Sequence, residues 1–372
     1  RDLHSFPTRR SSDLSLTVTM EEGSSTNTVV NNVFGCNNVL GTPKEEVTVN
    51  VNGGTVNNSV YGGGNQAAYT PSESNVNYPA VYINNGTVTE NVFGGGLGET
   101  ATVTANPHIT IGDNVEGHVV AIMKSVYGGG SLATVDGSTN IVVNNGTIGT
   151  EGEGGATYGN IYGGGFGSSN NVRIGLVKGN TEVTVNGGSV LHNIYGGGAY
   201  GSVGTYTYAS DDANAAFNSH TENTGKTTIT ILGGTIGTTG YENGMIFGAS
   251  RGDIAAPGAI QDNMAWVYDT EVVIGQTNDE TAGPQIKGSV YGSGENGHTY
   301  NDASVTIHSG KIGITEELES DPVGQKGAYY PYRGNVYGGG CGTDKYYADP
   351  TQETTDGNGT LYNITAGIVG RN

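Results

Sequence analysis

The sequence predicts an all-β fold: a parallel β-helix, a right-handed β-solenoid of about nine to ten coils with variable loops. Three observations lead there. A marker made of one apolar residue, one aromatic and then glycine recurs nine times along the chain. Between markers, apolar residues alternate with polar ones, the period of two that places them on one face of a strand. Glycine supplies 66 of 372 residues while Asp, Glu, Lys and Arg together make only 13%, too few to build the charged faces of amphipathic helices.

Taken in order, Arg1 to Leu14 reads RDLHSFPTRRSSDL. It matches the in-frame translation of a sequencing adapter and lacks the apolar stretch of a signal peptide, so it is set apart as a disordered artefact. Residues 15–372 then form a single repeat domain. The markers carry Phe34, Tyr61, Phe93, Tyr127, Tyr162, Tyr195, Phe247, Tyr291 and Tyr337, each preceded by Val or Ile and followed by Gly. Upstream of the second marker lies Val49-Asn50-Val51-Asn52-Gly53-Gly54-Thr55-Val56, which recurs as Val81 to Val88, Val183 to Val190, Ile229 to Ile236 and Val305 to Ile312. Val49 and Val51 share a face; the Asn-Gly-Gly turns the chain; Val56 and Val60 bring two more apolar side chains inward. Four side chains cannot make a core alone, but stacked copies can, each coil covering the next.

Loop length is what varies. After the glycines, connections range from the brief Ser131–Thr139 to the long Ala199–Lys226, and Gly313–Gly334 is the largest insertion at a second corner. The final Ile364 to Asn372 matches Val51 to Ser59, and the chain stops where another marker is due. An open strand edge there leaves backbone groups unpaired. A fragment cut at both ends is therefore expected, with more coils of the same protein on each side.

Chemistry is harder to read. The net charge of −20 disfavours nucleic acid and anionic membrane surfaces as partners, and no run of about 18 apolar residues offers a transmembrane segment. The Gly-Gly-Gly runs at Gly62, Gly94, Gly128, Gly163, Gly196 and Gly338 lack the Lys or Ser/Thr of a phosphate loop, and read as corners where a Cβ would strike the adjacent coil. With the marker valines inward, the nine aromatics point outward as a ladder at the coil spacing of ~4.8 Å. That ladder is a candidate interaction stripe, although a self-packed stripe covered by the following loops is favoured. Arg251-Gly252-Asp253 is the tripeptide read by integrins, a three-residue match in a loop with no companion feature. A Thr48/Thr110/Thr184/Thr230/Thr306 column is too interrupted for an ice-binding array. The histidines show no metal-ligand spacing. Cys36 and Cys341 fall ~40 Å apart in a stack of this kind, beyond disulfide reach. Lys124, Lys178, Lys226, Lys287, Arg173, Arg251 and Arg333 occupy unrelated repeat positions. Hence no catalytic residues, metal ligands or cofactor are assigned.

The repeated strand, Asn-Gly-Gly, strand, aromatic-Gly-Gly-Gly unit resembles the large repeat proteins of bacterial cell surfaces, adhesin-like β-helix proteins and autotransporter-type passenger domains. It is also loosely similar to polymorphic outer-membrane proteins, with Tyr-Gly-Gly-Gly where their repeats carry Gly-Gly-Ala-apolar. The resemblance implies a secreted or surface-anchored protein. The expected function is a non-enzymatic scaffold mediating adhesion or interaction through its loops, with surface glycans or host and cell-surface proteins as partners. The alternative is a carbohydrate-active β-helix lyase or hydrolase, or a carbohydrate-binding module using the aromatic stripe.

Overall fold

β-Branched residues at alternate positions favour extended backbone and pack well on a pleated surface, and each such segment here is a short strand. In a computed structural model, residues 14–342 are described apart from 22, 24–27, 153–156, 239–242, 278–282 and 314–333. The first 13 residues and the repeat-matching Ile364 to Asn372 lie outside that set, as does most of the Gly313–Gly334 insertion.

The described chain is almost entirely β, with one short helix, Gly258–Gln261. No helix among the described residues is long and apolar enough to cross a membrane. A coil is built from three strands, as in Thr181–Val185, Ser189–Val190 and Ile194–Tyr195. Every strand of that coil pairs in parallel with its counterpart in the next: Val183 opposite Ile229, Val190 opposite Ile236, Ile194 opposite Ile246. The nine markers form one nine-stranded parallel sheet running from Val33–Phe34 to Val336–Tyr337. The other two strand rows belong to one 16-stranded sheet. They merge because Val47–Val56 and Ala80–Val88 run through the Asn-Gly corner unbroken. These long stacked parallel sheets are consistent with a β-solenoid.

The core is one continuous column. Val183, Val185, Val190 and Ile194 are fully buried, as are their equivalents above and below, including Val49, Val51, Val56 and Val60. Each fully buried aliphatic contributes about 1.5–3 kcal/mol relative to exposure. The glycines do two jobs. At the Asn-Gly corner, Gly54 has φ +80° and Gly188 +81°, where a Cβ is strained. In the Gly-Gly-Gly runs the reason is space: a Cβ on Gly163 would lie 2.1 Å from the Gly196 carbonyl oxygen, and one on Gly128 2.2 Å from that of Gly163.

Two further columns fill the other corners. Val47, Tyr69, Val103, Val135, Val177, Val203 and Val267 are buried together beneath the post-marker connections. Buried threonines close the space beside the glycines: Thr139, Thr181 and Thr227 hydroxyls donate to the carbonyls of Gly163, Gly196 and Gly248 at 2.5–2.6 Å. Register corrects one reading. Thr48 pairs with Ala80, and it is Asn50, itself opposite Thr19, that belongs to the column continuing through Tyr82, Thr110, Val142, Thr184, Thr230, Val273 and Thr306. The register shift at the corner begins only after Val51, so Thr48 lies two residues, one full strand period, away from that column.

Candidate functional site

The aromatic marker residues come together as one stack. From Phe34 to Tyr337, successive ring centroids lie 4.7–5.0 Å apart with planes within 11° of parallel. Each ring therefore spends its faces on its neighbours, and seven of them, from Tyr61 to Tyr291, are buried. Phe34 is half-buried and Tyr337 is 37% exposed, at the two ends of the stack. Phe166, Leu97 and Ala199 from the post-marker segments, and Met245 just before the Ile246–Phe247 marker, pack against the ladder. Burial pushes the Tyr162 phenol up to about 12 and that of Tyr195 well above its ordinary value, so both stay protonated at neutral pH.

Arg251-Gly252-Asp253 is threaded against the stack and tied on both sides. Arg251 bridges to Ala199 and Asn296, and a Cβ on Gly252 would lie 1.9 Å from the Asn296 carbonyl oxygen. The Arg251 side chain remains 41% exposed, with Nε 3.4 Å from Glu295 Oε2; the buried Tyr195 hydroxyl donates to that same oxygen at 2.5 Å. Asp253 accepts from the Ala255 amide at 2.8 Å. Arginine and aspartate are thus each engaged locally.

Four other basic residues tie neighbouring coils together. Lys124 pairs with Glu90, Lys178 with Asp136, Lys226 with Glu271, and Arg173 with Asp211. Exposed pairs of this kind contribute about 0–1 kcal/mol each. Among the described residues, no group of three or more His, Cys, Asp or Glu side chains converges as metal ligands would. Cys36 and Cys341 are free and sit in different packing clusters, the first beside Tyr69, the second beside the ring ladder. Burial pushes the Cys341 thiol up to about 12 and the Cys36 thiol higher still, which leaves both as inert thiols.

The longer loops assemble with one another. The connection after Tyr195 carries an antiparallel hairpin, Tyr206–Tyr208 with Phe217–His220. Val172 of the preceding coil donates its amide to the Ala213 carbonyl, and Arg173 reaches Asp211 at 2.6 Å. Asn263 of the following coil reaches the Asn214 carbonyl at 3.4 Å. Val172, Ala256, Ile260, Met264 and Ala265 then make a satellite apolar cluster. Loops from three successive coils build one knob.

A groove that sequence reasoning did not anticipate lies on the outer face of the first strand row. It encloses about 660 Å³. Along it, His108, Asn140, Glu182 and Thr228 stand in register on four successive strands. Asn140 donates to Glu182 at 3.1 Å. One wall is a corner row in which the Asn106 side chain accepts from the Ser138 amide, the Ser138 hydroxyl from the Asn180 amide, and the Asn180 side chain from the Lys226 amide. A second groove of about 450 Å³ shares Asn180 and Lys226 and is flanked by Glu222, Asp269 and Tyr268. The Tyr268 ring stacks on His220 at 3.8 Å and lies 5.5 Å from that of Tyr300, which is 46% exposed. His108 is held below its ordinary pKa by burial, partly offset by the Asn77 carbonyl, so its imidazole is neutral at neutral pH. Its Nε2 lies 3.2 Å from the Tyr82 hydroxyl, and its buried Nδ1 makes no hydrogen bond within the protein. The signal for the groove in the sequence is the Asn or Ser two residues before each strand's first outward position, at Asn106, Ser138 and Asn180. No family model, curated protein or solved structure matches the chain.

Proposed function

We propose that the chain is a non-enzymatic scaffold of a bacterial surface or secreted protein, a right-handed β-helix that mediates adhesion or interaction through its loops. The observation that carries this reading is the contrast between a column that never varies and excursions that always leave at the same corners. Val183, Ile229, Val272 and Val305 continue one another without interruption. Meanwhile the connection between Tyr195 and Phe247 holds a hairpin, and those on either side pack against it. A fixed core with displayed loops is the division of labour expected of a binding scaffold. Right-handedness is supported by the strong preference of parallel crossover connections for that sense.

The test is cell attachment. Displayed on a non-adherent bacterium, residues 15–372 should confer attachment to host-cell monolayers. Replacing the hairpin tip, residues 209–216, with a Gly-Ser link should lower that attachment by about tenfold or more, with the rest of the knob's anchoring coils intact. No attachment by the parent, or undiminished attachment by the shortened form, would overturn the reading.

A further inference from the structure

The two connected grooves form a track with a chemistry of its own, separate from the loop knob's tip. We propose that this track binds an extended, uncharged polysaccharide built of hexopyranose units, lying along the stacking axis.

Four features carry the inference. First, repeat length: equivalent side chains recur once per coil, ~4.8 Å apart, close to the length of one pyranose in an extended chain. From His108 through Asn140, Glu182 and Thr228 to Glu271 is five coils, a run of ~19 Å with room for about four sugar units. Second, polar groups: amide, carboxylate and hydroxyl side chains alternate along the floor and the Asn/Ser wall, the donor and acceptor mixture that vicinal diols require. Third, aromatic surface stands at one end: Tyr268 flanks the second groove with its ring stacked against both His220 and Tyr300, and the half-exposed Tyr300 offers ring surface against which the apolar C–H face of a sugar packs. Fourth, charge: Glu182, Glu222 and Asp269 line the track, its Lys226 ammonium is 2.6 Å from Glu271, and His108 is neutral. A net acidic lining in a chain of charge −20 repels uronates and sulfated glycans.

The floor side chains Asn140, Glu182 and Thr228 lie outside the core: Glu182 is exposed and Asn140 and Thr228 are half-buried, whereas the strand residues between them point inward. Removing them therefore tests recognition with little effect on folding.

Calorimetric titration of residues 15–372 with cellohexaose and mannohexaose provides the test, with a galacturonic acid hexamer and a glucosamine hexamer as charged arms. At least one neutral hexaose should bind saturably. Glu182→Ala and Tyr300→Ala should each weaken it by about tenfold or more, and Glu182→Ala should leave the melting temperature unchanged. Asn140→Ala should weaken it too, guarding against an effect peculiar to one carboxylate. The form with residues 209–216 replaced should bind the sugar as the parent does. Lack of binding by both neutral hexaoses, binding of only a charged hexamer, or neutral binding indifferent to Glu182→Ala and Asn140→Ala would overturn the proposal. The loop reading is judged separately, by attachment, so either can fail without the other.

Discussion

At the scale of single residues, the stack depends on side chains that serve the coil next door. Asn193 is the clearest case. Its amide nitrogen donates to Asn160 Oδ1, its own Oδ1 accepts from the Met245 amide at 2.9 Å, and its Nδ2 reaches the Tyr195 hydroxyl at 3.3 Å. The same relay runs from Asn32 through Ser59, Asn91, Ser125 and Asn160. In-register polar residues thus satisfy the corner N–H groups that the strands leave over. Asn193→Ala should strand the buried Met245 N–H and lower stability by about 1–3 kcal/mol. The urea midpoint of unfolding reads this directly; a midpoint matching the parent would show that water replaces the relay. The ladder was legible in advance. Asn or Ser precedes the apolar–aromatic pair in eight of the nine markers, Met245 being the exception, yet an eye set on hydrophobic periodicity passes over a polar column.

At the scale of the element, inside and outside are set by the marker strands. Val60 is fully buried between Val33 and Val92, and its neighbour Tyr61 faces the ring ladder. Val60→Asp would place a charge in that column, where no partner compensates its desolvation. Loss of the cooperative thermal transition, or a large drop in its midpoint, is expected by circular dichroism. An unchanged melting curve would mean that Val60 faces solvent and the assignment is inverted. Much of this element-level picture could be read from the sequence. The four inward positions, the Asn-Gly corner and the aromatic stack all follow from period two and one repeat per coil. The Tyr69–Val103–Val135–Val177–Val203 column did not. Its members follow their marker aromatic by eight residues in the coils of Tyr61, Tyr127 and Tyr195, but by ten and fifteen after Phe93 and Tyr162, so no fixed period betrays them. Strand contacts of one residue pair each hold that column, and so short a strand leaves no alternation to detect. The groove escaped for a related reason: His108, Asn140, Glu182 and Thr228 share a place but no chemistry, and only register shows them as one row.

At the scale of the whole molecule, a stack of coils makes distance along the axis a count of coils, independent of how much chain lies between them. The step from Tyr82 to Thr110 and the step from Thr184 to Thr230 are each one coil, although the second encloses the whole hairpin loop. Two consequences separate this architecture from a string of small globules. Damage spreads to neighbours and not to distant coils, because each unit touches only those beside it. The polar track and the loop knob also keep their mutual positions, because both are anchored to strands of one continuous core. The most direct measurement is a set of dipolar distances between spin labels placed at Asn50 and, in turn, at Val142, Thr184, Thr230 and Thr306 along the outward column. Three to seven coil steps at ~4.8 Å predict separations rising linearly from ~14 to ~34 Å. Distances that follow the number of intervening residues, or that fail to rise from one coil to the next, would contradict a single stacked column.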